Sequence, residues 1–96
     1  MNLWKKTVAK LEKHGKTVSE IKFVQTYRGR IENFEELAKQ INYDDGYGGQ
    51  EIDSSLVIVG DDWWLERAEY DGKEWFEFKQ QPTVLDFVEH TIDDIY

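Results

Sequence analysis

The chain has 96 residues, with 12 Lys and Arg against 20 Asp and Glu for a net charge of −8, one Pro and no Cys. That length suits a single domain over residues 1–96 with one modest core, and the lack of cysteine excludes disulfides, a thiol nucleophile and thiolate metal sites. An aromatic content of 15% excludes a disordered acidic tail, and no apolar run approaches the roughly 20 residues that span a bilayer, so a cytoplasmic protein is expected.

Leu3, Trp4, Val8 and Leu11 recur at helical spacing, and Gly15 stands where a left-handed cap is wanted, which predicts a helix from about Leu3 to His14. Alternation of Ile21, Phe23, Gln25 and Tyr27 predicts a strand within Thr17 to Tyr27, preceded by a turn that Ser19 caps and ended by Gly29. Asn33 as N-cap, with Glu36 three positions on, opens a second helix from about Phe34 to Ile41. Asn42 to Ile52 reads as a long loop, a kind of segment that often carries function. The apolar run Leu56 to Val59 then suits a central strand. Trp63–Tyr70 and Lys73–Lys79 are strands joined by Asp71-Gly72, the pair that favours a two-residue type I′ turn.

A two-residue turn fixes the register: Tyr70 opposes Lys73, Ala68 opposes Trp75, Arg67 opposes Phe76 and Leu65 opposes Phe78. Trp63, Leu65, Arg67, Phe76 and Phe78 then share the face assigned to the core, and Trp64, Glu66, Ala68, Tyr70, Trp75 and Glu77 share the other. After Pro82, the spacing of Val84, Val88, Ile92 and Ile95 predicts a C-terminal helix. The expected fold is α+β: helix, strand, helix, a three-stranded antiparallel meander and a C-terminal helix.

Charge is divided along the chain. Residues 1–30 carry eight cations against Glu12 and Glu20, net +6, whereas residues 31–96 carry four cations against 18 carboxylates, net −14. A basic first helix can either pack near the acidic sheet and relieve its self-repulsion or leave an acidic face open to a partner. Direct binding to nucleic acid is not expected of such a chain, because phosphates demand Lys and Arg.

Catalytic sets are missing from the pattern. His14 at a helix end favours the helix dipole, and His90 beside Glu89 and Asp93 suits a solvated ion pair. Ser54 and Ser55 lack a nucleophile-elbow sequence. The glycines between Tyr43 and Gln50 are not followed by Lys and Ser or Thr, and Asp44 and Asp45 would repel phosphate. Placing Gly46 sixth in a calcium loop puts Ile41 and Ile52 where carboxylates belong, so no metal or cofactor is assigned; Asp44, Asp45 and Tyr47 remain a secondary loop candidate. Glu66 with Glu77, and Glu69 with Glu74, oppose each other across the hairpin, where like charges are destabilising. Such a cost suggests a binding face. Trp64, Tyr70 and Trp75 would anchor it, and Asp61, Asp62, Glu66, Glu69, Asp71, Glu74 and Glu77 would complement Arg and Lys of a partner.

The blocks NYDDGYG (Asn42–Gly48) and LVIVGDDWWLERAEYDGKEWFEF (Leu56–Phe78) resemble small acidic proteins of phages, prophages and mobile elements of Gram-positive bacteria. What the resemblance implies is a setting inside a host cell, where such products often inhibit defence systems, anti-CRISPR proteins among them. The expected function is therefore a non-enzymatic inhibitor that binds a basic nucleic-acid-handling protein such as a CRISPR effector nuclease, in the manner of a DNA mimic. A phage structural or accessory module that self-associates, as a homodimer for example, is the alternative. A small metal-binding enzyme is the second.

Overall fold

The structure is a computed structural model that describes residues 1–44, 49–82 and 91–94. Helix α1 (Leu3–Lys13) opens on Asn2, whose side chain accepts a hydrogen bond from the Lys5 amide at 3.1 Å. It closes on Gly15 at φ +70°, with the Gly15 amide bonded to the Glu12 carbonyl and the Lys16 amide to the Leu11 carbonyl. That pair of bonds is the Schellman closure, and it needs a residue that tolerates the left-handed region. Leu3, Thr7 and Leu11 form the buried stripe. Thr7 was not expected there; its hydroxyl is satisfied by the Leu3 carbonyl at 2.8 Å, which lets a small polar residue lie in the core.

A 3₁₀ turn at Val18–Glu20 precedes strand β1 (Phe23–Thr26). Its cap is made by Glu20, which accepts from the Thr17 amide at 2.6 Å, while Ser19 only meets the Thr17 hydroxyl. Strand β2 (Gly29–Arg30) is a short return after Tyr27-Arg28. Helix α2 (Phe34–Ala38) is shorter than the spacing suggested, and the Asn33 side chain makes no capping bond. Only Phe34 and Ala38 of it are buried, leaving Leu37 and Ile41 partly in solvent. Trp4 and Phe34 meet edge to face at 6.2 Å and tie α2 to α1.

Strands β3 (Val57–Val59), β4 (Trp63–Tyr70) and β5 (Lys73–Gln80) follow. Asp71 at φ +52° and Gly72 at φ +84° make the type I′ turn, and all four expected β4–β5 pairs are present. The expected three-stranded meander is corrected by the sheet as a whole, which has five antiparallel strands in the order β2-β1-β3-β4-β5. Phe23, Val24 and Gln25 pair with Val59, Ile58 and Val57, so β3 is central because β1 returns to its free edge. Most of the expected C-terminal helix, with Val84, Val88, His90 and Ile95, lies outside the described residues. The part inside them, Ile92–Asp94, is a 3₁₀ turn. The described architecture is a sheet-rich α+β domain with two α-helices.

Val24, Ile58, Leu65, Trp63 and Phe76 form the core with Leu3, Leu11, Phe34 and Ala38. Helix α1 therefore packs on the hairpin face assigned to the core and leaves Glu66 and Glu77 on the opposite face. The β3–β4 turn depends on Gly60, whose amide donates to the Trp63 carbonyl at 2.8 Å. A Cβ on Gly60 would overlap the Trp63 indole, which is itself buried. Gly60→Ala is accordingly expected to destabilise the fold by about 1–3 kcal/mol, the usual range for overpacking. A urea midpoint unchanged from wild type would contradict this reading of the turn.

Candidate functional site

The alternation of β4 and β5 divides the hairpin's carboxylates between two faces. Glu66 and Glu77 are directly opposed on the face away from α1, about 5.5 Å apart at Cα as a hydrogen-bonded pair. Each is held by an indole: Trp64 Nε1 donates to Glu66 Oε1 at 2.8 Å, and Trp75 Nε1 donates to Glu77 Oε1 at 3.1 Å. An N–H donor to each carboxylate offsets part of their mutual repulsion and fixes one oxygen of each. No described cation forms a salt bridge with either carboxylate. Trp64 is half-buried, Trp75 is 38% exposed and Tyr70 is 76% exposed on the same face.

Val57 and Val59 on β3, and Phe23 and Gln25 on β1, extend this face across the sheet. At its far side Arg30 lies over the Phe23 ring at 3.7 Å, and its Nε donates to Gln25 Oε1 at 3.1 Å. The face thus runs from a cation stacked on an aromatic ring to a pair of carboxylates among indoles.

Glu69 and Glu74 share the other face, contrary to a single acidic surface on the hairpin. Glu74 is fully buried. Its carboxylate accepts from Arg67 Nη2 at 2.9 Å and from the backbone amides of Glu51 and Ile52 at 2.7 and 3.2 Å. The Arg67 guanidinium lies 4.5 Å from the Phe76 ring centroid and 5.5 Å from that of Tyr43. Among the described residues its Nε and Nη1 have no hydrogen-bond partner, and the two rings offer their faces to the charge instead. Glu74 is therefore withdrawn from any partner surface. The signal was present in the pattern: Arg67 on the core face needs a counterion, and Glu74 has the parity of Phe76.

The remaining candidates lie at the ends of the hairpin. Asp61 is exposed and pairs with Lys22 at 3.4 Å, which joins the basic N-terminal segment to the β3–β4 turn. Asp62 and Asp71 are exposed, and Glu69 is held loosely by the Gly72 amide at 3.4 Å. In the secondary loop candidate, the Asp44 amide donates to Glu51 at 2.7 Å, whereas Asp45 and Tyr47 lie outside the described residues. Among the described residues no group of three or more His, Asp or Glu is placed to hold a metal ion. No described helix is long and apolar enough to cross a membrane.

Nothing matches the chain in comparisons with protein-family models, curated proteins and solved structures.

His14 stacks on Phe78 with ring centroids 4.1 Å apart and planes 5° from parallel, at the end of β5. Desolvation first, then Lys10 and Lys13, hold its imidazole below the usual value of 6.5. With the folded value depressed, the unfolded chain binds more protons, so stability falls as pH drops below the unfolded value. His14→Gln is expected to flatten the stability profile just below pH 6.5. Parallel slopes of urea midpoint against pH for the two proteins would contradict the assignment.

Proposed function

We propose that the protein is a non-enzymatic interaction protein whose open sheet face docks on a basic surface of a nucleic-acid-handling protein and blocks it. A Cas9-type nuclease of a host defence system is the candidate partner, on the resemblance to mobile-element proteins. The observation that supports this reading is the pair of opposed carboxylates, Glu66 and Glu77, each fixed by an indole and flanked by partly exposed aromatic side chains. Preformed acceptors beside rigid rings suit Arg and Lys, because a cation there gains both a charge-assisted hydrogen bond and a ring face.

The spacing of the charges refines the mode of binding. At about 3.3 Å per residue, Asp61 and Asp62 stand roughly 13–16 Å along the hairpin from the Glu66–Glu77 pair, and Asp71 stands about as far on the other side. A DNA strand offers a phosphate every 3.4 Å of helix axis. Three separated groups favour anchoring at discrete basic positions over imitation of a continuous phosphate ladder.

The test is nuclease-catalysed DNA cleavage titrated with this protein and with a Glu66→Gln/Glu77→Gln variant. Glutamine keeps an acceptor for each indole and removes only the charge. The variant is expected to inhibit at least about tenfold more weakly, a loss of roughly 1.4 kcal/mol. Equal inhibition by both proteins would exclude the face as the contact, and no inhibition by the wild type would exclude the nuclease as the partner.

A further inference from the structure

The register of the five strands sets one residue from each in a single row across the open face. Arg30 pairs with Gln25, Gln25 with Val57, Val57 with Glu66 and Glu66 with Glu77. Directly opposed residues point to the same face, so the row runs from a cation on β2, through valine on β3, to two carboxylates on β4 and β5. A second row beside it holds Phe23, Val59, Trp64 and Lys79. Every member of both rows is at least partly exposed.

This order makes the face complementary to itself. Because β3 lies in the middle of the sheet, a two-fold axis along it exchanges β1 with β4 and β2 with β5. When two such faces meet, Arg30 of one copy comes over Glu77 of the other, Gln25 over Glu66 and Phe23 over Trp64. Val57 and Val59 meet their own counterparts at the centre. The alternative axis, in the plane but across the strands, sets Glu66 on Glu66, Glu77 on Glu77 and Arg30 on Arg30, where like charges repel. Sheets packed face to face lie about 10 Å apart with their strands nearly aligned, a gap that long side chains at the ends of the row can bridge.

The polar groups are also set in advance. The Arg30 guanidinium is held over the Phe23 ring at 3.7 Å, and its Nε donates to Gln25 Oε1 at 3.1 Å. That arrangement turns the terminal nitrogens of Arg30 and the amide nitrogen of Gln25 into donors for an opposing surface. On the acidic half the indoles donate to one oxygen each of Glu66 and Glu77, and the second oxygen of each carboxylate can accept. Donors and acceptors therefore stand at exchanged ends of one row.

We propose that the open face closes on a second copy of this chain, as a two-fold dimer with its axis along β3. The pairing involves this chain alone, so it does not rest on the nuclease reading. Strands β1, β2 and β3 have only four, two and three residues, which keeps the contact small and the dimer reversible.

The experiment is sedimentation of the full chain up to millimolar concentration, for the wild type, Arg30→Glu, Glu77→Arg and an equal mixture of the two variants. The wild type is expected to form a dimer as concentration rises. Each variant alone places like charges at both copies of the Arg30–Glu77 contact and should dimerise at least about tenfold more weakly. A heterodimer of the two variants has opposite charges at both contacts, so the mixture should recover association close to that of the wild type. Recovery would also show that both variants are folded. A wild type that stays monomeric throughout would overturn the proposal. So would single variants that dimerise as the wild type does, or a mixture that associates no more tightly than its components.

Discussion

The buried ion pair between Arg67 and Glu74 holds together parts of the chain that the sheet alone does not connect. At 2.9 Å, with both side chains fully out of solvent, the pair joins β4 to β5 on the core face. Glu74 then reaches the backbone at Glu51 and Ile52, and Arg67 lies between Phe76 and Tyr43. One carboxylate thus fixes the segment that leads into β3, and one guanidinium fixes the segment that leaves α2. The N-terminus is drawn to the same place, since the Met1 ammonium donates to the Tyr43 carbonyl at 2.8 Å. Burial of two charges is unfavourable unless both are paired and bonded, and the geometry here supplies three hydrogen bonds to the carboxylate.

This pairing also sorts the acidic hairpin into its roles. Once Glu74 is taken by Arg67, the carboxylates left on the open face are Glu66 and Glu77, and their repulsion is moderated by Trp64 and Trp75 rather than by a cation. Helix α1 stays on the core face, so its lysines do not neutralise them. A single internal contact therefore decides which carboxylates of the hairpin are buried and which stay on the face away from α1.

Local chemistry was legible where it rests on near neighbours. The Asp71-Gly72 turn carried the β4–β5 register and the assignment of its faces, because a two-residue loop admits little else. The apolar stripe of α1 and its Gly15 closure were legible for the same reason. Pairing of β1 with β3 was not, since Phe23 and Val59 meet across a long stretch of chain and nothing nearby marks the contact. Thr7 in the core was missed because burial there depends on one hydroxyl bond within the helix. Like-charge opposition across the hairpin alone places Glu74 on a partner surface, whereas the counterion that Arg67 needs on the core face places it inside. The open face was legible in its membership, but the indole–carboxylate bonds that fix it depend on side-chain conformations that spacing does not specify.

The claim that the fold depends on the Arg67–Glu74 pair is tested most directly by a double-mutant cycle of Arg67→Met and Glu74→Gln, followed by urea unfolding. Each single change leaves a buried charge without its counterion and should destabilise by about 3–5 kcal/mol. The double change should be far less than additive, with a coupling of about 2 kcal/mol or more. Additivity within about 0.5 kcal/mol would contradict the account, because it would mean that the two side chains contribute separately.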